Sequence, residues 1–280
     1  MSAAELRSGV HPGAVVEPGA RLGARVRIGP FCHVGSATTL GDDVQLISHV
    51  SIAGATTVGA RTRVFPFAAI GHEPQDLKYR GESVRLTIGE DCLIREGVTM
   101  NPGTASGGGE TVIGARCVFL ANAHVAHDCR LGASVILSNN VMLGGHCEIG
   151  DFAILGGGSA AHQFVRVGAH AFVGGLAGVE NDIIPFGIAL GNRASLAGLN
   201  FVGLKRRGFS HEAVHALRRA SRAASSAMAP PPHRIASGGV DSTSLNPFRP
   251  CLRAACRSRD RPLPSRTRPS AAPPPRRGRR

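Results

Sequence analysis

The sequence predicts an all-β solenoid, in which short strands wind into a parallel coil. Two observations carry the prediction: an aliphatic residue recurs every six positions, and glycine is abundant while aromatics are scarce. A period of six fits neither a helical face at ~3.6 nor strand alternation at 2. It suits a chain that turns a corner every six residues.

The period starts at Val10, passes through Val16, Leu22, Ile28 and Val34, and holds its phase to Ile70. It resumes at Ile88, Ile94 and Met100, and again from Ile113 through Phe119, Val125, Leu131, Leu137, Leu143, Ile149 and Leu155. Ala161 is its weak member before Val167, Val173, Val179 and Pro185. Three blocks of six make a coil, so residues eighteen apart are expected on adjacent rungs, ~4.8 Å from each other. Residues 9–192 are therefore read as the β-helix body. Two stretches break its phase, 71–87 with GHEPQDLKYRGES and 101–112 with NPGTASGGGET, and both are expected as loops thrown out of the wall. Loops on a rigid scaffold commonly carry function.

Composition agrees with the repeat. One Tyr, no Trp and 37 Gly suit a coil that needs small residues at its corners. Cys32, Cys92, Cys117, Cys129 and Cys147 each stand four residues after a repeat-heading residue, where other blocks carry Ala, Val, Thr or Ser, so they are expected as small core residues. The seven cysteines are odd in number and form no CxxC, which argues against a disulfide framework or a zinc-thiolate site.

The net charge of +13 is unevenly placed. From Lys205 onward there are 18 Lys and Arg against Glu212, Asp241 and Asp260, which leaves the preceding body at −2. A nucleic-acid role would rest on that end alone, without stacking aromatics, and is not expected. No apolar run reaches the ~20 residues of a membrane span, and the N-terminus lacks a signal-peptide pattern, so a cytoplasmic location is expected. After the repeat, residues 193–224 are expected to be helical, with Ser210, Glu212, Val214 and Leu217 marking a single helix. Residues 225–280 hold 11 of the chain's 18 prolines without periodicity and are expected to be disordered.

Coil arithmetic also assembles chemistry. His127, Gly145 and Gln163 share one phase on consecutive rungs, Asp128 stacks under His146, and His124 and His162 flank the column. An imidazole beside a carboxylate is a plausible general base, and a glycine on the next rung leaves its N–H open to an oxyanion. Two other readings stay open at this point: a ladder of satisfied hydrogen bonds, and a zinc site on His124, His127 and His146 with water in a fourth position.

GHEPQDLKYRGE, NAHVAHDC, LGGHCEIGDFAILGG, AAHQFVRVGAH and GLKRRGF, in this order over roughly residues 9 to 220, resemble the UDP-N-acetylglucosamine acyltransferases that begin lipid A synthesis in Gram-negative bacteria. The resemblance implies a left-handed parallel β-helix, a hand the right-handed crossover rule would not have predicted. It also implies a homotrimer with active sites between subunits, and transfer of a 3-hydroxyacyl chain from acyl carrier protein to the 3-hydroxyl of UDP-N-acetylglucosamine, without metal or bound cofactor. Carried over, His127 is the base, Asp128 orients it, and the Gly145 amide holds the oxyanion. His124, His146, His162 and Gln163, with Asp76 and Lys78 of the first loop, contact substrate. Asn200, Arg206 and Arg207 match positions that bind the nucleotide end, where forked guanidinium donors suit diphosphate. Gly175 corresponds to the acyl-chain ruler, where a glycine leaves the pocket long; relief of a tight corner at Gly174 and Gly175 is the competing physical reading.

Three departures accompany the resemblance. Asn101 stands where some members have a histidine, and Phe201 and Val202 stand where an acidic residue can contact the base. After Arg222 the expected amphipathic helices give way to the Pro/Arg tail, which predicts a shifted reading frame there. The alternatives are another hexapeptide-repeat acyl- or acetyltransferase, a zinc lyase, and a catalytically impaired, truncated homologue.

Overall fold

A computed structural model describes residues 9–192 and 195–227. The tail from residue 228 onward, including the disorder and the frame shift expected of it, lies outside the described residues. The body is a left-handed parallel β-helix whose sides are mostly two-residue strands. Its three walls hold, among the described residues, eleven, nine and eight strands. We call them wall A (Ile28, Leu46, Val64, Ile94, Phe119), wall B (Val34, Ile52, Ile70, Met100, Val125) and wall C (Leu40, Val58, Ile88, Ile113, Leu131) after residues that head their rungs.

Adjacent rungs pair as the period requires: Phe119 with Leu137, Val125 with Leu143, and Leu131 with Ile149. Both loops are inserted without disturbing register, since Val64 still pairs with Ile94, and Ile94 with Phe119. Each heading residue points inward, and from Ile28 to Val179 nearly all are at most 4% exposed. Burial of each such side chain is worth about 2 kcal/mol, so the stacked column supplies the core. The five cysteines are buried free thiols, as small core residues should be.

The corners are less uniform than a small-residue rule suggests. On wall C the residue after the heading aliphatic is glycine, and a Cβ on Gly114 would lie 2.5 Å from the backbone of Gly132 one rung on, so here smallness is compulsory. Three residues after the heading residue, however, the chain enters the left-handed region with φ near +60° at Arg25, Phe31, Asp91, Asp128, His146 and Phe164. That conformation disfavours an L side chain by roughly 1–2 kcal/mol. At Phe31, Asp91, His146 and Phe164 it is held by an N–H bonded across to a carbonyl of the rung below, as His146 is to the His127 carbonyl (2.9 Å) and Phe164 to that of Gly145 (3.0 Å).

The end of the body departs from the expected single helix. Residues Ser195–Leu199 form a strand antiparallel to Gly187–Leu190 on wall A. Two helices follow, α1 (Phe201–Arg206) and α2 (His211–Ala227). Gly208, with φ +70°, breaks the helical run, and the Ser210 hydroxyl accepts from the Ala213 N–H to start α2. The sequence signals at Ser210 and Glu212 were for α2; the strand carries no period-six marker and the break is one glycine.

Candidate active site

The corner between walls B and C, one rung above the second loop, gathers the chemistry. His127 and Asp128 follow Val125 and are buried at 7% and 6% exposure. The Asp128 carboxylate accepts three hydrogen bonds: from His127 Nδ1 at 2.8 Å, from the Thr104 hydroxyl at 2.6 Å, and from the Thr104 N–H at 2.9 Å. Because a carboxylate can only accept, the shared proton sits on His127 Nδ1, and in the neutral imidazole Nε2 then carries the lone pair. The Asp128 N–H is spent on the Thr111 hydroxyl (2.8 Å).

Gly145 occupies the rung above. Its N–H has no partner among the described residues, but the same is true of Gln163 one rung further, so openness belongs to this corner and not to glycine. The reason for glycine is different. A Cβ there would lie 2.5 Å from His127 Cε1 and 2.7 Å from Nε2, because the imidazole fills that space. His146 stands edge-on to His127 with ring centres 5.1 Å apart and stacks on Phe164 at 4.4 Å. Its Nε2 is 3.8 Å from the Asp128 carboxylate. His124 bonds the Thr99 hydroxyl through Nδ1 at 2.7 Å, and burial, with a smaller contribution from His127, holds its imidazole below the usual histidine range.

The cation-competent cluster among the described residues is His127, Asp128 and His146, with ligand atoms within 4.8 Å of one another. His124 is not part of it, which departs from the three-histidine zinc reading. The His127 nitrogen nearest Asp128 is already hydrogen-bonded, so Nε2 is the nitrogen left to take a proton.

The remaining expected site residues are spread over other parts of the prism. His162 and Gln163 are exposed on wall B's edge beside Gly145. Asp76 and Lys78 lie in the first loop, where the Asp76 carboxylate accepts from the Lys78 N–H at 3.0 Å. That loop covers a cleft of ≈ 680 Å³ lined by Gly54, Gly71, His72, Glu73, Tyr79 and Glu82 among others, and neither Asp76 nor Lys78 is among its lining residues. Asn101 ties the loop down by donating to the carbonyls of His72 and Glu73, a backbone duty that an amide serves.

Asn200, Arg206 and Arg207 are placed at the edge between walls C and A. Asn200 caps α1, accepting from Gly203 N–H at 2.8 Å and donating to the His170 carbonyl at 3.2 Å. Arg207 donates to the Phe152 carbonyl at 2.9 Å and lies over the Phe152 ring, at the end of the Phe152–His170–Phe186 stack; burial lowers its pKa. Gly175 is on the third edge, between walls A and B. A Cβ there would lie 3.2 Å from the Gly157 carbonyl, closer than an ordinary contact, while its φ is ordinary, so the corner is tight without being closed to a side chain. Gly174 is the tighter of the two, with Leu190 Cδ2 2.5 Å from its built Cβ.

Sequence reasoning missed Thr104, Gly107 and Thr111. All three lie in the stretch 101–112 where the period breaks; the structure returns Thr111 to the wall within the strand Glu110–Ile113, one coil below the Asp128 corner, whereas Thr104 and Gly107 stay in the loop, where rung arithmetic does not extend.

A parallel β-helix with six-residue sides, bearing a buried imidazole–carboxylate pair beside an open glycine amide, defines a hexapeptide-repeat transferase, and residues 110–145 match the bacterial transferase hexapeptide family. Residues 182–229 match the family described as UDP-N-acetylglucosamine O-acyltransferase, domain 2. Over 211 residues the chain is 53% identical to the acyl-(acyl-carrier-protein)–UDP-N-acetylglucosamine O-acyltransferase of Rhizobium johnstonii, a match covering 75% of this chain and 78% of that protein. The like-named protein of Brucella ovis is 56% identical over 213 residues, covering 76% and 77%. Among solved structures, the UDP-N-acetylglucosamine acyltransferase from Campylobacter jejuni superposes with a TM-score of 0.74 at 42% identity, covering 76% of this chain and 83% of that one. The O-acyltransferase from Moraxella catarrhalis gives 0.75 at 40%, with the same coverage. The chain belongs to the UDP-N-acetylglucosamine O-acyltransferase family, and it is an enzyme of that class.

Proposed function

We propose that the protein transfers a 3-hydroxyacyl chain from acyl carrier protein to the 3-hydroxyl of UDP-N-acetylglucosamine, the first step of lipid A synthesis, at the His127 corner. The observation that carries the reading is the His127–Asp128 pair, with its free Nε2 packed against the Gly145 backbone. In the forward step His127 Nε2 takes the proton of the sugar 3-hydroxyl as its oxygen attacks the thioester carbonyl carbon. The Gly145 N–H holds the resulting oxyanion. Collapse breaks the carbon–sulfur bond, and the imidazolium returns the proton to the departing thiolate of the carrier. Asp128 stabilises the imidazolium without giving up its own charge. Acyl carrier protein enters as the donor of the acyl group, so it is a co-substrate and not a resident cofactor.

His124, His146, His162, Gln163, Asp76 and Lys78 contact the substrates in this reading, and Asn200, Arg206 and Arg207 take the nucleotide end. Because Asn200 is engaged internally at both ends of its amide, we assign it the narrower task of setting α1, which ends at Arg206, and the Arg207 that caps it. His127, Gly175 and Arg207 stand on three different edges, so a single chain cannot offer all of them to one substrate; a homotrimer would. Wall A supports that assembly. From Leu93 through Val118, Ile136, Ile154 and Phe172 to Ile188 its outward-facing ladder is apolar and only half-buried, next to Gly175, which suits a long acyl chain lying against a neighbouring subunit. Among the described residues no helix is long and apolar enough to cross a membrane; we place the enzyme in the cytoplasm, a reducing compartment that suits its buried thiols.

The full chain, incubated with UDP-N-acetylglucosamine and 3-hydroxyacyl carrier proteins of several lengths, should give an acylated nucleotide sugar by mass with a long donor and none with acetyl-CoA. Product from acetyl-CoA alone would assign it to the acetyltransferases, and no product from any donor would overturn the reading.

A further inference from the structure

We propose that the second loop, through Thr104, is a socket that positions the base by fixing Asp128, and that Thr104 is a positioning residue of the reaction; the inference rests on the base reading of His127. The loop is a closed turn pinned at both ends to Arg85, whose carbonyl accepts from the Gly103 N–H (3.2 Å) and whose N–H donates to the Gly109 carbonyl (2.9 Å). Inside it the Thr104 carbonyl accepts from the N–H groups of Gly107 and Gly109 at 3.0 and 2.8 Å. Thr104 is thereby held with both its N–H and its hydroxyl aimed at Asp128, and it is 3% exposed.

The geometry divides the carboxylate. One oxygen takes the Thr104 N–H, while the other takes both the Thr104 hydroxyl and His127 Nδ1. The hydroxyl has only one proton, and Asp128 consumes it, so Ser106 Oγ, 3.2 Å from Thr104 Oγ1, must be the donor in that contact. Gly107 closes the socket from the loop side. A Cβ there would fall 2.0 Å from the Asp128 carboxyl carbon, so only glycine lets the loop sit this close. The carboxylate is left with one orientation, and that orientation sets both the imidazole plane and its tautomer.

Removing the hydroxyl donor while keeping its shape isolates the effect. Thr104→Val should lower kcat about tenfold, the scale of a lost hydrogen bond to a charged group, with KM for both substrates within about twofold. Thr104→Ser should restore the rate. In an Asp128→Asn background, Thr104→Val should produce no further loss, because its effect passes through the carboxylate. Thermal melting of Thr104→Val at or near the parent value shows that the fold is intact, and Gly107→Ala gives a second route to the same displaced carboxylate. A parent-like kcat in Thr104→Val, a loss confined to KM, or a full additional loss in the Asp128→Asn background would each overturn the socket. His127→Ala run alongside separates the two levels: if it keeps the parent rate, the base reading fails and takes the socket with it, whereas an inactive His127→Ala beside a parent-like Thr104→Val sinks the socket alone.

Discussion

Asp91 and Asp128 occupy the same slot of the coil on different edges, three residues after a heading aliphatic, with φ of +58° and +60°. At the edge between walls C and A, Asp91 faces solvent and is clasped by Arg61, whose Nε is 2.7 Å away. It belongs to a ladder of alternating charge, Arg25, Asp43, Arg61 and Asp91, in which the arginines hold both carboxyls below their ordinary range. At the edge between walls B and C, Asp128 is covered by an inserted loop and answers to a histidine and a threonine. The backbone provides a repeating set of rigid corner positions. What covers a corner decides whether its carboxylate is part of an exposed ion pair or of a buried imidazole–carboxylate pair.

Gly145→Ala is expected to break the contrast most severely, because its methyl would enter the space of the His127 ring. A misplacement of about 1 Å can cost around a hundredfold in rate, and assay of the purified variant would show it; an unimpaired Gly145→Ala would mean the ring need not sit there. Asp128→Asn against Asp91→Asn sharpens the comparison directly. The first should lose about a hundredfold in kcat, while the second should keep the parent rate, since exposed ion pairs contribute little. Equal effects would erase the distinction between the corners. Gly175→Met should then shift donor preference toward shorter acyl chains by roughly tenfold in kcat/KM, on the scale of a few methylenes of buried chain, read from competition between donors.

The smallest expected effect is on stability. The folded pKa of His124 lies below its unfolded value, chiefly through burial, so in mild acid the unfolded chain binds the proton first. The contribution is complete above about pH 6.5 and is lost as pH falls from there through the folded value. Denaturant unfolding across that window should show a shallower pH slope for His124→Gln than for the parent.

Much of this was legible in the sequence because a coil converts spacing into contact. The six-residue phase located the core, and eighteen-residue steps aligned His127 with Gly145 and Asp128 with His146. It did not reach Thr104, since an inserted loop has no phase, nor the strand at Ser195–Leu199, which runs against the coil. Periodicity also misread the corners as uniformly small, because the left-handed slot admits Phe31, Phe164 and His146 when the rung below holds their amides. Gly175, Arg206 and Arg207 were legible only through the family resemblance, for they stand on edges that one chain does not bring to His127.

The most direct test of the central claim is the paired turnover and binding of His127→Ala. With the base removed, the rate of acyl transfer should fall by about 10²- to 10⁴-fold, while affinity for UDP-N-acetylglucosamine, measured by calorimetry, should remain within a few-fold of the parent. Turnover at the parent rate with binding intact would contradict the account and move the base to another residue.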